Sequence, residues 1–173
     1  MLVLRSDART DLVSQWLLVR NPLRTMFNTV VIVLCKFVPW MWLKVFLMRH
    51  CLRMRIGRNV GIAPVEFSSL FPELISVGDG SVIGWKATLA GHLLTHRRVI
   101  LGRVRIGRNA LIGALAAVQP GVTIGDGAVV AMHSLVDKDI PPGELWGGVP
   151  ARFIRRLDDA SSPLPPCLRE SQD

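Results

Sequence analysis

The stretch IGRNALIGALAAVQPGVTIGDGAVVAMHSLV, residues 106–136, carries an aliphatic residue at every sixth position: Ile106, Ile112, Val118, Ile124, Val130 and Val136. Ile and Val together make up 31 of 173 residues, so six consecutive hits at one spacing arise by chance at roughly 10⁻⁵ to 10⁻⁴ per starting point, which marks a structural repeat. The next position is Gly107, Gly113, Gly125 or Ala131 in four of the six cases. The fourth position after each aliphatic is Ala110, Ala116, Val122, Ala128, Ser134 and Ile140.

A period of six excludes an amphipathic helix, whose apolar stripe recurs every 3.6 residues. It fits short parallel strands on the flat sides of a solenoid, three hexapeptides to a turn, with stacked Ile, Val and Leu filling the axis of a triangular prism. Upstream the same pattern recurs as Val77-Gly78, Ile83-Gly84 and Leu89-Ala90, with Ser81 and Ala87 at the small position, and as Ile56-Gly57 and Ile62-Ala63. The register breaks twice. Fifteen residues separate Ile62 from Val77 and seventeen separate Leu89 from Ile106, each read against an ideal of twelve, so loops leave the prism there. Insertions in solenoids tend to map to one functional face, and the second break contains His92 and His96.

These repeats, together with GGVPARFIRRL at residues 147–157, resemble the hexapeptide-repeat acyltransferases, in their sugar O-acetyltransferase-like branch, over about residues 51–157. The resemblance implies a mainly β fold, a left-handed parallel β-helix preceded by two or three N-terminal helices. It divides the chain into a basic, aromatic helical segment (1–50), the hexapeptide domain with a histidine loop at 91–103 (51–157), and a proline- and serine-rich tail (158–173) expected to be disordered.

The implied activity is direct acyl transfer from acetyl-CoA to a hydroxyl, most simply that of a sugar or glycan precursor. Such transfer needs a base for the acceptor proton and donors for the developing oxyanion, but no enzyme nucleophile and no metal. His92, after Gly91 at the mouth of the inserted loop, stands where relatives place their catalytic histidine; the alternative is a surface histidine that only hydrogen-bonds. For the coenzyme, the resemblance carries over Ala114, Met132, Asp137, Arg152 and Arg155: small residues for the pantetheine arm and arginines for the phosphates. It also implies a homotrimer with each site between adjacent prisms.

Two departures stand out. Asp137 occupies a position where relatives commonly offer a hydroxyl, which places a negative charge beside a polyanion, with Lys138 and Arg156 as substitute phosphate ligands. The coil before the histidine loop reads APVEFSSLFPEL (63–74) where relatives usually present Asn or Asp; Glu66, Ser68 and Ser69 are the only nearby polar choices, and none is assigned a role. His96 is read as a solvated loop residue with acceptor contact as the alternative, His133 as an outward corner residue, and His50 as structural.

Two competing functions remain open. A trimeric, carbonic-anhydrase-like metal hydrolyase would use His92, His96 and His133, although their spacing is not that family's. A membrane-associated prism without catalysis would explain Asp137 and the missing Asn.

The net charge of +8 lies wholly in residues 1–58, which hold ten Lys/Arg against Asp7 and Asp11; residues 59–173 balance eleven against eleven. Nucleic acid is therefore not an expected partner. Leu12–Arg20 and Met26–Arg49 read as helices, the second split at Pro39. Met26, Phe27, Val30, Val31, Leu34, Phe37, Val38, Met41, Trp42, Val45 and Phe46 form a wide apolar face. That face either meets a membrane, with Trp16, Trp40, Trp42 and Phe46 at the acyl boundary and Arg20, Arg24, Lys36, Lys44 and Arg49 near anionic headgroups, or packs on the prism or across a trimer. No uncharged run reaches the roughly 20 residues a membrane span needs. The first twelve residues alternate charges where a secretory signal would be apolar, and Cys35, Cys51 and Cys167 lack metal-ligand or disulfide-framework spacing, so the expected compartment is the cytoplasm, with peripheral membrane contact through residues 12–50 as an added possibility.

Overall fold

The computed structural model describes residues 2–5, 21–95 and 98–157, with side chains from 21–93 and 99–157. Between residues 55 and 147 the chain winds as a left-handed parallel β-helix, with three faces of short parallel strands. The first face stacks Arg55–Ile56, Ile75–Val77, Val104–Ile106 and Thr123–Ile124. The second stacks Gly61–Ile62, Val82–Ile83, Leu111–Ile112, Val129–Val130 and Glu144–Gly147. The third stacks Glu66–Phe67, Thr88–Leu89, Ala117–Val118 and Leu135–Val136.

The sixfold spacing becomes vertical columns. Ile56, Val77, Ile106 and Ile124 lie over one another, as do Ile62, Ile83, Ile112 and Val130, and Phe67, Leu89, Val118 and Val136. All are buried, and so are the small residues expected inside the corners, including Ser81, Ala87, Ala110, Ala116, Ala128 and Ser134. Ser81 is tolerated there because its hydroxyl donates to the Gly107 carbonyl at 2.7 Å and accepts from the Ala110 amide at 3.0 Å.

The breaks in register differ in kind. Ile62 and Val77 are two faces apart, so fifteen residues exceed twelve by three, taken up around the 3₁₀ turn Pro72–Leu74. Leu89 and Ile106 are only one face apart. The ideal there is six and the excursion is eleven residues, a correction to the expected twelve-residue spacing. Those residues form an antiparallel hairpin, His92–Thr95 against Arg98–Leu101, closed at its base by the Gly102 amide donating to the Gly91 carbonyl. Leu2–Arg5 adds a third antiparallel strand to it, a contribution the sequence pattern did not announce.

Helix α1 (Pro22–Phe37) begins at Asn21, whose side chain accepts from the Leu23 amide at 3.0 Å, with Pro22 in the first turn. It ends where Val38 turns extended before Pro39, and α2 (Met41–His50) follows. Val31, Ile32 and Cys35 of α1 and Met48 of α2 join the prism core over its first coil, a cap that keeps the open end of the solenoid from water. Asn28 donates to the Ser69 carbonyl and Lys44 to that of Ile62, both from buried positions. Lys44 is thus anchored inside rather than near headgroups. Of the apolar face read from the sequence, Val31 is buried, whereas Met26, Phe27, Val30, Leu34, Phe37, Met41, Trp42 and Phe46 are exposed. α1 is apolar on two sides, and the prism takes one.

The segment 151–157, expected as a short helix or extended arm, is the strand Arg152–Arg156, antiparallel to Glu144–Gly147. The expected helix at 12–20, with Trp16 and Arg20, the residues His96 and Cys167, and the tail 158–173 lie outside the described residues.

Candidate active site at the base of the hairpin

His92 is the first residue of the hairpin strand leaving the corner between the third and first faces. Gly91, just before it, is buried, and a Cβ there would lie 3.0 Å from the Phe71 carbonyl, so glycine allows the 63–74 loop to close against the hairpin base. That loop brings Ser68 Oγ to 2.5 Å from His92 Nδ1 and sets the Phe71 ring edge-on to the imidazole, with centroids 6.3 Å apart. Ser68 is itself buried, and its hydroxyl also accepts from the Phe71 amide at 3.5 Å.

This arrangement has a chemical consequence. With the proton on Nδ1, the imidazole donates to Ser68 Oγ and presents its Nε2 lone pair away from that contact, ready to take a proton. Half-burial of His92 disfavours the imidazolium and holds its pKa below the ordinary value of 6.5. The neutral form therefore prevails at neutral pH.

Phe71 and Leu101, the residue paired with His92 across the hairpin, also line a cleft of about 530 Å³ along the same corner. Its lining also includes Arg103, Arg105, Asp137 and Lys138. Asp137 lies 3.9 Å from the Arg152 guanidinium, which offsets the charge that made this position a departure. Arg152 is placed by the preceding turn: Gly148, at φ +98°, accepts from the Leu135 amide, and the Ala151 amide donates to the Leu135 carbonyl, so the GVPA turn sits against Leu135 at the start of the last strand of the third face.

The other expected coenzyme residues lie elsewhere. Ala114 and Met132 occupy successive coils at the corner between the second and third faces, where the His133 amide donates to the Ala114 carbonyl at 2.9 Å and Met132 is 67 % exposed. Arg155 sits opposite Leu145 near the start of the last hairpin, and Arg156 pairs with Glu144 at 3.6 Å. One prism thus brings His92, Asp137 and Lys138 to one corner and Ala114 and Met132 to the next, while Arg152, paired with Gly147 beside Ala131, extends its guanidinium toward Asp137. His133 shares the second corner, apart from His92, and His50 stacks on Phe46 at 4.4 Å.

Ser68 and Phe71 had no role in the sequence reading. The three-residue excess between Ile62 and Val77 was the available signal, since it marks a loop leaving the prism beside the hairpin. Of the other two polar residues weighed there, Glu66 is drawn to α1 by Lys36 at 2.6 Å, and the Ser69 carbonyl accepts from Asn28 at 3.0 Å.

Residues 103–138 match the bacterial transferase hexapeptide family (six repeats). Over 143 residues the chain is 39 % identical to a putative acetyltransferase, YvoF, of Bacillus subtilis, covering 82 % of this chain and 83 % of that protein. It is 36 % identical over 113 residues to the galactoside O-acetyltransferase of Escherichia coli, covering 61 % of this chain and 55 % of that one. Among solved structures, a hexapeptide-repeat acetyltransferase of Vibrio cholerae complexed with acetyl coenzyme A shares the fold, with a TM-score of 0.64, 24 % identity and coverage of 80 % and 89 %. A galactoside acetyltransferase in complex with coenzyme A superposes with a TM-score of 0.60 at 27 % identity, covering 80 % of this chain and 82 % of that one.

Proposed function

Since the chain belongs to the hexapeptide-repeat acetyltransferases, we propose that it transfers an acetyl group from acetyl-CoA to a hydroxyl of a sugar or glycan precursor, with His92 as general base. The observation that carries the proposal is the part-buried Ser68–His92 contact beside Phe71, a residue that also lines the cleft; the contact occupies one ring nitrogen and leaves the other outside it.

Acetyl-CoA, when bound, supplies the thioester-activated acetyl group. His92 Nε2 takes the hydroxyl proton as the acceptor oxygen attacks, and the resulting imidazolium gives that proton up to the departing sulfur. Ser68 keeps the ring oriented through Nδ1, and the lowered pKa keeps the base unprotonated beforehand. The donor set suits the coenzyme's phosphates: Lys138 is an exposed cation on the histidine's own corner, the exposed Arg152 reaches toward Asp137 there, and the half-buried Arg155 adds a cation on the last strand. Ala114 and Met132 would flank the pantetheine arm.

The separation of these residues over two corners supports a homotrimer. A single pocket can contain both groups when His92 comes from one copy and Ala114 with Met132 from its neighbour. The proposal extends to a cytoplasmic location with the N-terminal helices toward a membrane.

The test is turnover of acetyl-CoA with a panel of galactosides, maltose and related glycans, followed by thiol release. Acceptor-dependent release that disappears in His92→Ala is the expected result. Release that persists in that variant would overturn the role of His92.

A further inference from the structure

We propose that the outer face of α1 and α2 is a docking surface for an anionic phospholipid bilayer. Leu23, Met26, Phe27, Val30, Leu34 and Phe37 recur at helical spacing along the side of α1 turned away from the prism, and Trp40, Met41, Trp42 and Phe46 continue the band onto α2. The exposure is large: Phe37 is 82 % exposed, Trp42 71 % and Met26 65 %. A contiguous apolar band of this length on one element is what a partner or a membrane normally covers.

The charge around the band selects the occupant. Residues 21–65 contain seven Lys/Arg and no Asp or Glu. Lys44 is buried, and Lys36 and Arg58 are paired with Glu66 and Asp79, which leaves Arg24, Arg49, Arg53 and Arg55 around the helices and their junction with the first coil. Arg24 lies over the Phe27 ring, 5.3 Å from its centroid, so a cation borders the apolar stripe directly. A second copy presenting the same face would set cations against cations. Of the seven acids on the prism among the described residues, five, Glu66, Asp79, Asp126, Asp137 and Glu144, already lie beside Lys36, Arg58, Arg108, Arg152 and Arg156, and Asp139 accepts from the Thr123 amide. An anionic bilayer meets both needs, taking the aromatic and aliphatic side chains at the acyl boundary and the arginines at the headgroups.

The surface lies outside the cleft at His92, so the inference does not rest on the acetyl-transfer reading. The experiment is flotation of the full chain with vesicles of phosphatidylcholine containing phosphatidylglycerol, against phosphatidylcholine alone, at low and high salt. The protein is expected to float with the anionic vesicles, to lose binding at high salt, and to bind at least about tenfold more weakly as the double variant Phe37→Ser, Trp42→Ser. Circular dichroism, elution volume and acetyl-CoA binding of that variant should match the parent chain. Failure to bind anionic vesicles, equal binding to both vesicle types, or unchanged binding by the variant would overturn the proposal. So would a variant whose elution volume shifts to a smaller assembly, because the face would then be covered by a second copy.

Discussion

At the scale of single residues, the site depends on how the environment of one imidazole differs from water. Burial depresses the His92 pKa, and a depressed base stays neutral to lower pH than a free histidine. The acid limb of the kcat/KM profile should therefore have its midpoint below 6.5; a midpoint above that value would contradict the assignment. His92→Ala should lower kcat by about 10²–10⁴-fold with the fold intact by circular dichroism. Ser68 acts through His92 rather than on the acceptor, so Ser68→Ala should lower kcat by about tenfold while KM for acetyl-CoA is unchanged. His92 was legible in the sequence because a glycine and a break in period announce it. Ser68 was not, since a serine in an irregular loop carries no periodicity and its partner is 24 residues away.

At the scale of elements, the period-six pattern specifies the columns almost completely, because each aliphatic must land on its counterpart one coil away or expose the core. Ile112 shows the strength of that constraint: it is fully buried between Ile83 and Val130. Ile112→Ala should destabilise the prism by about 2–5 kcal/mol, read as a drop in the unfolding midpoint, with the loss set by how little the neighbouring coils can close the cavity. Less legible was anything that depends on which residues pair across a break. The hairpin at 92–101 forms by local antiparallel pairing and the strand from residues 2–5 joins it from far along the chain; a six-residue repeat encodes neither. The split between the helices was legible at Pro39, whereas α1 starts at Pro22 behind the Asn21 cap, four residues before the expected Met26. Their inner faces were not legible, because α1 is apolar on two sides and period alone cannot choose between them.

At the scale of the whole molecule, one prism holds the expected site residues at two corners; the periodicity did not say which corner holds which residue, and only the resemblance implied a site shared between adjacent prisms. Three copies of the 19.1 kDa chain give a particle of about 57 kDa, the mass expected by sedimentation. A sharper test mixes two inactive chains before assembly, His92→Ala and a Met132→Glu variant that blocks the second corner. Their co-assembly should restore activity that neither has alone, since some sites would then hold an intact His92 from one copy and an intact Met132 from the other; no restoration would place the whole site within one chain. The central claim, that these corners bind acetyl-CoA for transfer, is tested most directly by calorimetric titration of the protein with acetyl-CoA, alongside Arg152→Ala. Saturable binding in roughly the micromolar range, weakened in the variant because a phosphate partner is lost and Asp137 is left uncompensated, is the expected result. No measurable binding by the parent protein would contradict the account.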